Sequence, residues 1–380
     1  MTLNLPIRLL SLTLGLGAMA LPAQAQFGGL VGNILGAASS LTGSSPNAAT
    51  PTAAGAASGA PAVVTVDMAQ IDAVLKAPPE LLDGVNAVKG TLDQVRGKRF
   101  YISEYRVLFE QSGSIAANTR AAYLGGTNYG ATRMTVRYAA PAYDVALLQA
   151  VTDKAYTDFN ARLEAAGLKP EPADRIAAEF GQIYENTVAA SQPGAPLIEE
   201  VSFGHGKRKY MVMSPTGMKL HPRGFAGLGA GNMGNRIAYG RAGVEALAVV
   251  VAVHIAAQET SGNASSLFRS GSSANASAAL EIAQAPSMVL LQGHAASNLL
   301  RLEAPLAVPG QFASFRETGG YDTRKDATMV GLTLLGNLAG HAVNQRKSVD
   351  MTVDIDPPAM AALAYKGLAT VNQGIVAQIK

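Results

Sequence analysis

Residues 9–66 contain no Asp, Glu, Lys or Arg, whereas charges recur along the chain from Asp67 onward. A folded domain keeps ionic side chains on its outer faces, so the folded body is expected to begin at Asp67. Within the uncharged stretch, residues 36–61 read GAASSLTGSSPNAATPTAAGAASGAP. They hold too few large apolar side chains to offset the entropy of ordering them, and they predict a flexible linker. The apolar patch FGGLVGNIL at 27–35 precedes it and reads as a segment that docks on the protein's own surface or stays unordered. Residues 1–25 (MTLNLPIRLLSLTLGLGAMALPAQA) combine one cation at Arg8, a short apolar run, Pro22 and the small residues Ala23 and Ala25. That is the pattern of a secretory leader cleaved before Gln26, and its apolar run is short for a membrane span. The expected organisation is therefore a signal peptide at 1–25, a low-complexity tether at 26–66 and a folded domain at 67–380, with a Gly-rich basic insertion at 201–243.

The body is large and apolar enough for a substantial core, since the 380-residue chain is 48% hydrophobic and only 15% charged. It has no Cys, which excludes disulfide staples, thiolate-bound zinc, iron–sulfur clusters, thiol catalysis and a lipid carried on cysteine. A net charge of +3 over this length is not the footprint of a nucleic-acid binder, so no nucleic-acid partner is expected.

Strand and helix periods alternate along the body. Met68, Ile71, Val74 and Leu75 mark a helix, and after Pro78-Pro79 the set Leu81, Leu82, Val85, Val88 and Leu92 predicts a second short one. FYISEYRVLFE at 100–110 has strand period, with Tyr101, Tyr105, Val107 and Phe109 on one face and Glu104, Arg106 and Glu110 on the other. TRMTVRY at 132–138 repeats the pattern, and the Gly/Ser/Asn-rich residues 112–130 between them predict a loop. Asp144 and Gly167 bracket a long helix as N-cap and stop, and a further helix is expected over 173–188. Later, 244–257, 274–283, 288–302 and 348–356 predict strands, 328–343 a closely packed helix, and Asp356 with Pro357-Pro358 the start of a C-terminal helix. The fold class expected is α/β or α+β, a mixed sheet packed by helices.

Chemistry-bearing motifs are sparse. Gly229, Gly231 and Gly234 fit a G-x-G-x-x-G string, but no convincing strand precedes it and no acid follows at the expected distance, so no dinucleotide cofactor is expected. His205, His221, His254, His294 and His341 lack metal-ligand spacing, and His254 sits in an apolar run as a core histidine would. Asp350, Asp354 and Asp356 alternate on a strand but lack the Gly and distal Glu of a calcium loop, so they read as a solvated face. Charge placement says more. Residues 201–243 contain Lys207, Arg208, Lys209, Lys219, Arg223, Arg236 and Arg241 and no acid. Such a segment, with glycines exposing backbone amides, is the candidate site for an anion: a phosphate, an acidic glycan or a lipid headgroup.

The order of an aromatic-rich strand (FYISEYRVLFE), a capped helix (LLQAVTDKAYTDFNARLEAAGL), an apolar strand (ALAVVVAVHI) and a C-terminal helix resembles the periplasmic α/β domain of bacterial envelope proteins related to the curli secretion channel. The resemblance spans residues 100–253 and implies a periplasmic or outer-membrane-associated binding or assembly role, with no functional residue carried over. The function expected is that of an exported, non-enzymatic envelope protein that recognises an envelope protein or an anionic glycan or lipid and forms a homo-oligomer. Two alternatives stand beside it: an oligomeric outer-membrane pore whose hairpin uses 274–283 and the apolar segment after it, and an exported hydrolase with catalytic residues dispersed along the chain.

Overall fold

The computed structural model describes residues 66–379, apart from 84–86, 93–94, 96, 119–121, 125–126, 130–131, 181–187, 204–205, 221–242, 264–270, 285–288, 294–298 and 321–344. The expected leader, the tether, the glycine string at 229–234, the helix at 328–343 and four of the five histidines lie outside the described residues.

Four helices and a mixed, curled sheet make up the described part. The helices are α1 (Met68–Lys76), α2 (Val145–Ala165), α3 (Ala173–Phe180) and α4 (Pro357–Ala377). The strands are β1 (Val88–Thr91), β2 (Arg99–Asn118), β3 (Ala122–Leu124), β4 (Thr127–Tyr129), β5 (Thr132–Ala139), β6 (Ile198–Phe203), β7 (Gly206–Met213), β8 (Val244–Asn263), β9 (Gly271–Ala283), β10 (Leu291–Gln292), β11 (Leu299–Leu302), β12 (Leu306–Val308), β13 (Ala313–Gly320) and β14 (Gln345–Ile355). Along the sheet the order is β1-β11-β10-β8-β2-β5-β14-β13; β7 also pairs with β2 and carries β6, β9 pairs with β8 and β12, and β3-β4 form a separate hairpin.

The capping rules account for the long helices. Asp144 accepts from the amide of Ala146 at 2.8 Å, Asp356 caps α4 through the amide of Ala359, and Gly167, at φ 73°, lets the chain leave α2 in the left-handed region. Leu148, Val151, Ala155, Phe159 and Leu163 of α2 are buried, as their period predicts, while Arg162 stays at the margin and pairs with Asp158 at 2.7 Å. Helices α2 and α4 pack together on one face of the sheet, joined by Asn372, whose amide donates to the Ala155 carbonyl and whose carbonyl accepts from the Tyr105 hydroxyl at 3.0 Å. Gly367 allows α4 to lie against the sheet, because a Cβ there would press on Ile282 and Val308.

Several expectations are overturned. The second helix expected after Pro78-Pro79 does not reach Leu92: residues Val88–Thr91 are strand β1, antiparallel to β11, Asp83 and Ala87 have 3₁₀ geometry, residues 84–86 lie outside the described residues, and Leu82 donates its amide to Thr370 of α4. An apolar set interrupted by Gly84 and Gly90 has weak helical preference, and β11 needs a neighbour for its backbone groups. The loop expected at 112–130 is mostly sheet, because β2 runs on to Asn118 with β5 on one side and β7 on the other. Two ladders stabilise a Ser/Gly/Ala stretch whose own strand preference is poor. Helix α3 covers Ala173–Phe180, residues 181–187 of the expected helix lie outside the described residues, and Val188, its expected last residue, exchanges amide and carbonyl bonds with Leu220. Finally, β6 and the first half of the basic segment are integral strands of the main sheet.

Candidate functional site

Strand β2 does not present Glu104, Arg106 and Glu110 to water. All three are buried, because β2 lies in the middle of the sheet with β7, β8 or β5 alongside and material on both faces. Buried charges require partners. Arg106 donates Nε to Glu104 at 2.5 Å and Nη1 to Glu199 of β6.

The Glu110 carboxylate is the centre of a second cluster. It accepts from the Tyr138 hydroxyl of β5 at 2.5 Å, from Nη1 of Arg208 of β7 at 2.9 Å, and from the backbone amide of Ile255 of β8 at 2.8 Å. Bulges place it there. The register of β2 with β7 shifts between Glu110 and Ser112, and that of β8 with β9 shifts between His254 and Ala256. The second bulge directs the Ile255 amide at the carboxylate, and the sheet curls where β2 leaves β8 for β5. Gly113, opposite Tyr138, makes room for the ring: a Cβ at 113 would overlap the Tyr138 hydroxyl and Cζ. Gln258 of β8 then donates to the Tyr138 oxygen at 2.6 Å. Burial and the Glu110 charge push the Tyr138 hydroxyl pKa well above the ordinary phenol value. Burial opposes the Arg208 charge, but Glu110, Tyr138 and Tyr210 outweigh it and the pKa of Arg208 is raised. His254, buried beside this cluster, shares a 3.0 Å hydrogen bond between Nε2 and the Tyr210 hydroxyl, and burial lowers its pKa despite Glu281 3.9 Å from Nδ1. His254 is thus the hydrogen-bonded core histidine its apolar run predicts. The whole assembly joins four strands at a corner, with acid matched to base.

The basic segment divides by strand period. Arg208 points into the sheet and is engaged by Glu110, so it shares no surface with its neighbours. Lys207 and Lys209 point to the opposite face and are exposed; Lys207 pairs with Glu200 of β6 at 2.7 Å, which holds the Glu200 carboxyl below its usual pKa. Lys219 is exposed just before the Leu220 bridge, and Arg223, Arg236 and Arg241 lie outside the described residues. The structure adds two cations that reasoning along the chain did not connect with this segment. Ser114 of β2 is paired with Lys207 on one side and with Arg137 of β5 on the other, and Arg133 lies on the same face of β5 one turn of the pleat beyond Thr135. Arg137 and Arg133 are exposed, and Arg137 has Asp350 of β14 at 3.8 Å. The alternation of TRMTVRY placed both arginines on one face; only strand pairing reveals that this face continues across Ser114 to Lys207 and Lys209.

The carboxylates Asp350, Asp354 and Asp356 do not converge: the first faces Arg137, the second pairs with Arg316 of β13 at 3.1 Å, and the third caps α4. Among the described residues no helix is long and apolar enough to cross a membrane. The strand at 274–283 pairs with β8 and β12, while the apolar segment after it supplies β10 and β11 of the main sheet. Compared with known proteins, the chain matches no protein-family model, no curated protein and no solved structure.

Proposed function

We propose that this chain is an exported, non-enzymatic protein of the bacterial cell envelope that binds an anionic partner on the outer half of its sheet. The observation that carries this reading is the convergence of Lys207, Lys209, Arg133 and Arg137, from strands far apart in sequence, on one exposed sheet face. The leader pattern at 1–25 and the likeness of element order to periplasmic domains support placement in the envelope. Carboxylate, sulfate and phosphate groups are the ligands suited to such cations, through charge-assisted hydrogen bonds. The proposal is tested by passing the chain from Gln26 to Lys380 over immobilised heparin. Retention at moderate salt that is lost when Lys207, Lys209 and Arg137 are replaced by Ser is the expected result. Passage of the unaltered protein without retention at low salt refutes the reading, and recovery of the unprocessed chain from the cytoplasm refutes its export.

A further inference from the structure

The cations of the exposed face do not lie on a flat surface. Strand β2 contributes Ser112, Ser114, Ala116 and Asn118 to this face, the first three half-buried and Asn118 exposed opposite Arg133, whereas β7 and β5 on either side carry the long side chains of Lys207, Lys209, Arg133 and Arg137. Neighbouring strands are about 4.8 Å apart, so the two cationic walls are separated at the backbone by roughly 10 Å, with a floor one strand wide between them. Small hydroxyl-bearing side chains at the bottom and basic side chains along both sides describe a trough. The acids of this surface stand outside it: Glu200 of β6 lies beyond Lys209 and pairs diagonally with Lys207, and Asp350 lies beyond Arg137 on β14. Each holds a cation from the outer side and leaves the inner side to a ligand.

Resting on the anionic reading above, we infer that this trough takes an extended acidic glycan strand, lying along β2 with its acidic groups between the two rows of cations and its hydroxyls over Ser112 and Ser114. The geometry favours a single extended chain over a bilayer. A membrane surface is broad and calls for apolar side chains that enter it, and the floor of this face offers only serine, alanine and asparagine. It also favours a chain over a lone ion, because the cations are distributed along the strands: Arg133 and Arg137 are four residues apart, about 13 Å of strand. The Ser112 and Ser114 hydroxyls and the Asn118 amide on the floor suit the hydroxyls of a sugar, which a featureless polyanion lacks.

The test measures binding of a heparin hexasaccharide, free sulfate and vesicles rich in phosphatidylglycerol to the chain from Gln26 to Lys380. Three variants accompany it: Lys207→Ser with Arg137→Ser, Ser114→Ile, and Glu200→Gln with Asp350→Asn. The hexasaccharide is expected to bind far more tightly than sulfate. Loss of two charge-assisted contacts weakens it at least about tenfold. Ser114→Ile alters no charge, suits a strand, and raises the floor, so it weakens the hexasaccharide at least about fivefold while circular dichroism is unchanged. Removing the two outer carboxylates strengthens binding, since the ligand no longer competes with them. If Ser114→Ile binds the hexasaccharide as the wild type does while the cation variant fails, the trough is refuted and the anionic surface stands. Vesicle binding that exceeds hexasaccharide binding and ignores Ser114→Ile also refutes the glycan. Absence of binding to all three probes refutes both this inference and the function it rests on.

Discussion

Replacing Glu110 by Gln removes one negative charge from the corner of the sheet and leaves its shape intact. Glu110 has no exposed surface and the Arg208 side chain is 7% exposed, so neither group has water to fall back on. The new amide oxygen can still accept from the Ile255 amide and from Arg208, whereas its nitrogen is a donor and takes away the acceptor of the Tyr138 hydroxyl. What is lost is the charge that balances Arg208. Breaking a buried pair on one side costs about 3–5 kcal/mol, and the low end applies here because the two hydrogen bonds from Arg208 and Ile255 survive. A loss of about 3 kcal/mol is a large share of the ~5–15 kcal/mol that separates most folded domains from their unfolded chains. The chain has no Trp, so urea unfolding is best followed by far-ultraviolet circular dichroism. At a slope of about 3 kcal/mol per molar urea the midpoint falls by roughly 1 M. Adding Arg208→Met to Glu110→Gln removes the stranded cation and is expected to recover most of the loss. A Glu110→Gln stability within about 0.5 kcal/mol of the wild type, or a double variant no more stable than the single one, refutes a buried Arg208 that depends on the Glu110 charge.

Two further outcomes follow from the same corner. Gly113→Ala brings a methyl group into the ring and hydroxyl of Tyr138, which is fixed by Glu110 and Gln258; a cost of about 1–3 kcal/mol is expected in thermal or urea unfolding, and a neutral result contradicts the placement of the ring over Gly113. Burial lowers the pKa of His254 from 6.5 in the folded chain, so above that value the histidine is neutral in both states and contributes no pH dependence. As pH falls below 6.5 the unfolded chain takes up a proton that the folded chain refuses, and stability declines, by at most about 1.4 kcal/mol per pH unit, until the folded pKa is reached. The difference in urea midpoint between wild type and His254→Gln should therefore change between pH 7.5 and pH 5, and a constant difference contradicts it.

Local patterns in the sequence accounted for much of the fold. The capped helices α2 and α4, the first helix, and strands β5, β8, β9 and β14 follow from apolar period and from Asp144, Asp356 and Gly167, because caps and stripes act within a few residues. Residues 112–118 and 88–91 misled for the opposite reason. Their Ser, Gly and Ala content or interrupted apolar set is weak locally, and the strands exist because β5, β7 and β11 satisfy their backbone groups. The candidate site shows the same division. Lys207 and Lys209 were legible as part of a run free of acids, but Arg208, between them in sequence, belongs to the interior, and Arg133 and Arg137 join the lysines only across β2.

The sequence alone determined that a long charged body follows an uncharged N-terminal stretch, that no thiol chemistry is available, and that helices and strands mix in it. Those properties depend on composition and on spacing of a few residues. The tertiary structure alone decided which charges are paired in the interior and which stay exposed. Strand alternation sends adjacent residues to opposite faces, and pairing chooses which faces are covered, so Arg208 is neutralised by a carboxylate nearly a hundred residues earlier while its two neighbours face solvent beside arginines from another strand.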